Sequence, residues 1–208
     1  MAANDDLRPR RSHLFLLFAV LAVLAWSGYK PYDRLTWWLE TLPGMAGIII
    51  LAATYGRFRF TTLCYTFIAL HICILCIGGH YSYAREPFFS WLRDTFHWQR
   101  NHFDRLGHFF QGFVPALIAR ELFIRLRILN RTGWLPFVVV SICLTISALY
   151  EFIEWWTALL SGSAAVEFLA TQGDVWDTQK DMFLALIGAV CAIVLLSRWQ
   201  DRQIARRK

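Results

Sequence analysis

Charge is what this sequence has least of. Only 17% of its 208 residues are Asp, Glu, Lys or Arg, against roughly 25% in an average soluble domain, and 57% are hydrophobic. That balance excludes an ordinary water-soluble globule. Internal repeats, low-complexity segments and polar stretches long enough for a soluble domain are absent too. The basic residues behind the net charge of +6 sit in short flanks beside apolar runs. No continuous basic stripe forms, which argues against a nucleic-acid partner. A signal-peptide cleavage site is also missing: arginines precede the first apolar run, but "AWSGYKPYD" offers no small-x-small motif, so that run is expected to be retained.

Cysteine is present without a pattern that demands chemistry. Cys64, Cys73, Cys76, Cys143 and Cys191 all fall inside apolar segments. Cys73 and Cys76 have a redox or zinc spacing. In "LHICILCIGG", however, they read as small hydrophobes.

What the chain does have is apolar runs that match a hydrocarbon core of about 30 Å. They predict an all-α, polytopic membrane bundle, one integral membrane domain over 1–208, with six spans at about 13–29, 37–55, 61–79, 105–124, 135–159 and 180–198. Arginines precede the first span and follow the last, and others lie between spans two and three and between four and five. The 160–179 loop has neither Lys nor Arg. Both termini are therefore expected on the cytoplasmic side. Between spans three and four, Pro87 is placed to start a short helix over about 87–98. Its aromatic face (Phe88, Phe89, Leu92, Phe96) suits the membrane interface. Trp37, Trp38, Trp155, Trp156 and Trp199 near span ends fit an aromatic belt.

Ionisable residues inside spans need a reason, because a carboxylate in hydrocarbon is costly unless paired, hydrated or metal-bound. Asp104 and His108 enter span four at i, i+4, on one face. Glu151 and Glu154 lie late in span five; Asp174, Asp177 and Asp181 introduce span six; His80 closes span three in "GGHYSY". At 1.5 Å rise per residue, these groups from different spans reach the same outer depth to within about 10 Å. Nothing in the span assignment used their positions.

Several have plainer roles open to them. Asp104 and Asp181 can serve first helical turns, where a carboxylate meets the helix dipole. Asp174 and Asp177 can be solvated turn residues, and Arg105 can neutralise one acid. His71, mid-span, is expected to be hydrogen-bonded between helices, and Arg120 and Glu121 to snorkel or pair. Glu151, Glu154 and His108 lie too deep to be caps. Three readings of the cluster stand: a metal site, a proton- or ion-handling group, and a salt-bridge network.

At "HYSYA", "DRLGHFFQGF", "YEFIEWW" and "GDVWDTQKDM" the chain resembles the YjdF-type bacterial inner-membrane proteins over nearly its whole length. It is more loosely similar to the VanZ-like membrane proteins, whose glutamine after the glutamate is not matched at Phe152. The resemblance implies a multi-pass inner-membrane location and marks His80, Tyr81, Tyr83, Asp104, His108, Glu151, Glu154, Asp174, Asp177 and Asp181. It implies no reaction.

The chemistry expected from the residues is a periplasm-facing site. His80, Asp104, His108, Glu151, Asp174, Asp177 and Asp181 are its candidate ligands for zinc, manganese or iron, ions that accept mixed imidazole and carboxylate donors. Glu151 or Glu154 would shuttle a proton, and Tyr81 or Tyr83 would donate to an oxyanion, in hydrolysis or modification of a lipid-linked substrate. The alternatives are a proton- or ion-coupled transporter and a non-catalytic accessory protein. Against transport, no paired Gly/Pro interruptions mark broken helices.

Overall fold

A computed structural model describes residues 10–129, 133–161 and 166–206, and all the regular structure among them is helical. Arg8, Arg131, Arg207, Lys208 and residues 162–165 of the arginine-free loop lie outside the described residues. The elements are α1 (Arg11–Ser27), α2 (Arg34–Thr54), α3 (Thr62–Tyr81), a 3-10 turn (Tyr83–Arg85), α4 (Pro87–Phe96), α5 (Phe103–Arg125), α6 (Trp134–Ser161), α7 (Val166–Leu169) and α8 (Asp177–Ala205).

Among the described residues four helices are long and apolar enough to cross a membrane: Arg34–Thr54, Thr62–Tyr81, Trp134–Leu160 and Asp177–Ala205. The apolar α1 has 17 residues, about 26 Å. With 23 residues α5 has the length but not the composition, since it carries Asp104, Arg105, Arg120, Glu121 and Arg125. Its position explains this. It packs against α8, α6 and α3 at the centre of the bundle, so its polar groups meet protein.

The α5–α8 seam brings two backbones into direct contact. A Cβ on Gly112 would overlap the Ala185 carbonyl, and one on Gly188 the Phe109 carbonyl. Backbone cannot rotate aside as a side chain can. Gly112→Ala is therefore expected to cost about 1–3 kcal/mol by overpacking. It should appear as a lower melting temperature in detergent; an unchanged one would mean that the seam has room to yield.

Two helix ends depart from the sequence reading, one through a local cap and one through tertiary contacts. His97 turns left-handed at φ 54, and Trp98 N–H bonds back to the Arg93 carbonyl at 2.9 Å, so α4 stops at Phe96. At the other extreme α8 runs on to Ala205, well past its apolar stretch. Gln200 and Ile204 are buried there, Gln203 Oε1 accepts from Leu63 N–H at 3.1 Å, and Arg120 reaches Asp201 at 2.8 Å. Beside them, fully buried Glu121 accepts from Thr61 N–H at 2.9 Å, Thr61 Oγ1 at 2.7 Å and Arg125 at 2.9 Å. Arg120 and Glu121 pair rather than snorkel. Around Glu121 and Arg120 these bonds form a structural network.

Candidate functional site

At the opposite end, α5 and α8 begin and α6 finishes. The α5 entrance is shaped by Asn101, whose Oδ1 accepts from Phe103 N–H at 2.9 Å. The N-cap is His102, so Asp104 lies inside the first turn and is not the cap. Likewise α8 starts at Asp177, not near 180, which puts Asp181 in its second turn and buries it at 3% exposure.

The imidazole of His108 is the hub. Its Nε2 lies 3.5 Å from Asp104 Oδ1, and its Nδ1 lies 3.1 Å from Gln111 Oε1 and 3.9 Å from Glu151 Oε1. Asp104, His108 and Asp181 each present one donor atom, all within 4.8 Å of one another, and all three are buried. Glu151 Oε1 and Asp181 Oδ1 are buried with no hydrogen-bond partner among the described residues. That is the unusual feature, because buried carboxylate oxygens are normally satisfied.

Arg100, from the loop before α5, supplies the counter-charge. It hydrogen-bonds Asp177, reaches Asp104 at 3.3 Å and Asp174 at 3.6 Å, and donates to the Ala170 carbonyl at 3.3 Å. Asn101 and Gln172 hold the same two loops together through Asn101 N–H to Gln172 Oε1 at 2.9 Å and Gln172 Nε2 to the Asn101 carbonyl at 3.0 Å. Asp174 stands at the margin, with Lys180 at 2.6 Å and Arg105 at 3.0 Å. The Lys180 ammonium, then the Trp176 N–H, hold its carboxyl below the usual range. A depressed carboxyl gives pairing that is present above the ordinary carboxylate range and lost as pH falls through it. Burial, then the Arg105 and Arg100 charges, hold His102 below the usual imidazole value.

Below the cluster lies a cavity of about 220 Å³, with Glu40, His71, Tyr83, Gln111, Tyr150 and Glu154 among its lining residues. Tyr150 Oη donates to Glu40 Oε2 at 3.2 Å, and Tyr83 also hydrogen-bonds Glu40. Tyr83 fits here because Gly78 and Gly107 have no Cβ where its ring lies. The Nε2 of His71 is buried with no partner among the described residues, and its ring lies 6.5 Å from that of Phe110 on α5.

Of the residues marked in the sequence, Asp104, His108, Glu151 and Asp181 come together, Glu154 and Tyr83 line the adjoining cavity, and Asp177 and Asp174 belong to Arg100. Two do not join them. His80 turns its Nδ1 to the Ser27 carbonyl at 3.0 Å and rests its ring 4.4 Å from that of Trp26. Tyr81 packs against His80 at 4.6 Å. Their depth is right, but they face the α1 side of α3. Glu40, Tyr150 and Arg100 were not singled out in the sequence. Glu40 had a legible signal as the one carboxylate in the second span.

Residues 12–202 match the family described as "Predicted membrane protein (DUF2238)". The chain is also 45% identical over 184 residues, 88% of each chain, to "Inner membrane protein YjdF" of Escherichia coli (strain K12). It belongs to this family of membrane proteins. The comparisons do not show the looser VanZ likeness. No solved structure matches the chain.

Proposed function

We propose that this family member is a six-span inner-membrane protein with both termini cytoplasmic and α4 lying at the periplasmic interface. Its site of Asp104, His108 and Asp181, with Glu151 beside them, holds zinc, manganese or iron. The observation that carries the reading is the convergence of three buried donors next to two unpartnered carboxylate oxygens. Asp104, Glu151, Glu154, Asp177, Asp181 and Glu40 outnumber the nearby cations Arg100 and His108, and a bound divalent ion would balance part of that charge.

The reaction that fits is hydrolysis of a lipid-linked ester or phosphoester. A bound divalent ion would bring a coordinated water close to ionisation at neutral pH and polarise the bond to be broken. Glu154, in the adjoining cavity, is placed to take the proton, and Tyr83 to donate to developing negative charge. Pro43, Leu75, Pro115 and Ile146 give the cavity an apolar wall between α2 and α6, which are bridged by the Tyr150–Glu40 bond. An acyl or prenyl chain suits that wall.

Elemental analysis of protein purified without chelator should find about one equivalent of one of these metals, lost in His108→Ala and Asp181→Asn. Wild type without stoichiometric metal overturns the proposal. A proton relay is the second reading, favoured by His71 with its unpartnered nitrogen at the cavity floor.

The orientation has its own test. Val175, in the loop before α8, is 86% exposed. Val175→Cys, in a chain whose other cysteines are replaced by alanine, should react with a membrane-impermeant maleimide in intact cells. Reaction only after lysis would invert the topology.

A further inference from the structure

A second charged concavity lies at the end of the bundle away from the His/carboxylate cluster. Arg10 before α1, Thr62 at the start of α3, and Trp199, Arg202, Gln203 and Arg206 at the end of α8 line a pocket of about 360 Å³. Arg10 from one end of the chain joins Arg202 and Arg206 from the other in lining it, and among the described residues no carboxylate lines the pocket. Asp201, next to Arg202, reaches away to Arg120 at 2.8 Å. Gathered cations repel one another unless an anion lies between them.

The pocket also stands at a particular height. Arg202 is about 32 Å along α8 from Asp181, close to the thickness of a hydrocarbon core. Leu195, Trp199, Arg202 and Arg206 follow at i, i+4, i+7 and i+11, so they share one face of α8. Along it, exposed Leu195 gives way to exposed Trp199 and then to the two arginines. Apolar, aromatic and basic residues in that order match acyl chain, interface and head group.

We propose that this pocket binds the phosphate-bearing head group of an anionic phospholipid, with the acyl chains lying along the Leu195–Trp199 face. The apolar approach favours a lipid over free phosphate, which needs the arginines alone. The site is independent of the metal reading and lies at the other membrane boundary.

The test uses the full-length protein in a neutral maltoside, titrated separately with phosphatidylglycerol, phosphatidylcholine and inorganic phosphate. Bound lipid is counted by native mass spectrometry, and the melting temperature is followed. Arg202→Gln/Arg206→Gln is compared with Arg57→Gln/Arg198→Gln, which also removes two exposed charges from the side assigned to the cytoplasm. Each basic group near a bilayer surface weighs about five-fold in affinity, so the pocket variant should bind phosphatidylglycerol about 30-fold more weakly. The control should bind as wild type does, and phosphatidylcholine should leave both measurements unchanged. Equal losses in the two variants would reduce the pocket to diffuse surface charge and overturn the proposal. An equal melting shift with inorganic phosphate alone would overturn the lipid assignment.

Discussion

Stripping divalent ions from the purified protein lowers its melting temperature, and returning zinc, manganese or iron restores it. This is the expected result if Asp104, His108 and Asp181 share an ion. Removing it leaves several buried carboxylates facing one another, with Arg100 and His108 as the cations beside Asp104. At free metal 100- to 1,000-fold above Kd, binding linkage is worth about 2.7–4.1 kcal/mol. Asp181→Asn keeps the shape of the side chain and removes its charge, so it should abolish the metal-dependent shift in a protein that still folds. A salt-bridge network gives the reverse: indifference to chelator and a stability loss for the same substitution. A proton relay gives no metal response but a melting temperature that moves with pH as the grouped acids titrate together. If protein purified without chelator melts identically with and without one, the metal reading fails.

Replacing Arg100 with glutamine is expected to destabilise the protein by about 3–5 kcal/mol, the usual cost of removing one partner from a buried ion pair. Arg100, Asp104 and Asp177 all have side chains under 10% exposed, with relative values of 7%, 9% and 7%. Without the guanidinium, Asp104 and Asp177 lose their nearest cation, and the Ala170 carbonyl loses its donor. Adding Asp177→Asn removes one stranded charge, so the double variant should recover part of the loss, and the cycle measures the coupling. A loss for Arg100→Gln below about 1 kcal/mol, the level of an exposed pair, would show that water substitutes for the arginine.

Depth was legible in the sequence and direction was not. Counting residues from a span end gives height, because the helical rise is constant. It placed Asp104, His108, Glu151 and Asp181 at one level, and the structure brings these four together. The same counting put His80 at that level, yet His80 meets Trp26 and Ser27, because its face of α3 turns toward α1. Glu40 shows the converse error. It was not singled out in the sequence, and only the placement of Tyr150 opposite it makes it a wall of the cavity. In the sequence Arg100 reads only as a charge in the loop before α5. Its neighbours Asp104 and Asp177 show what it neutralises.

By itself the sequence determined the class of molecule. Hydrocarbon admits only backbone that satisfies its own hydrogen bonds, so long apolar runs had to become helices. Their order along the chain, the scarcity of charge and the rarity of buried acids were therefore readable without coordinates. Tertiary structure decided which acids share a site. That depends on the rotation of each helix about its axis, and rotation is set by packing between distant segments. The Gly112–Gly188 seam sets how closely α5 meets α8, and so how near Asp181 comes to His108. No local signal in either helix carries that information, because each glycine is shaped to a backbone that lies some seventy positions away in the chain.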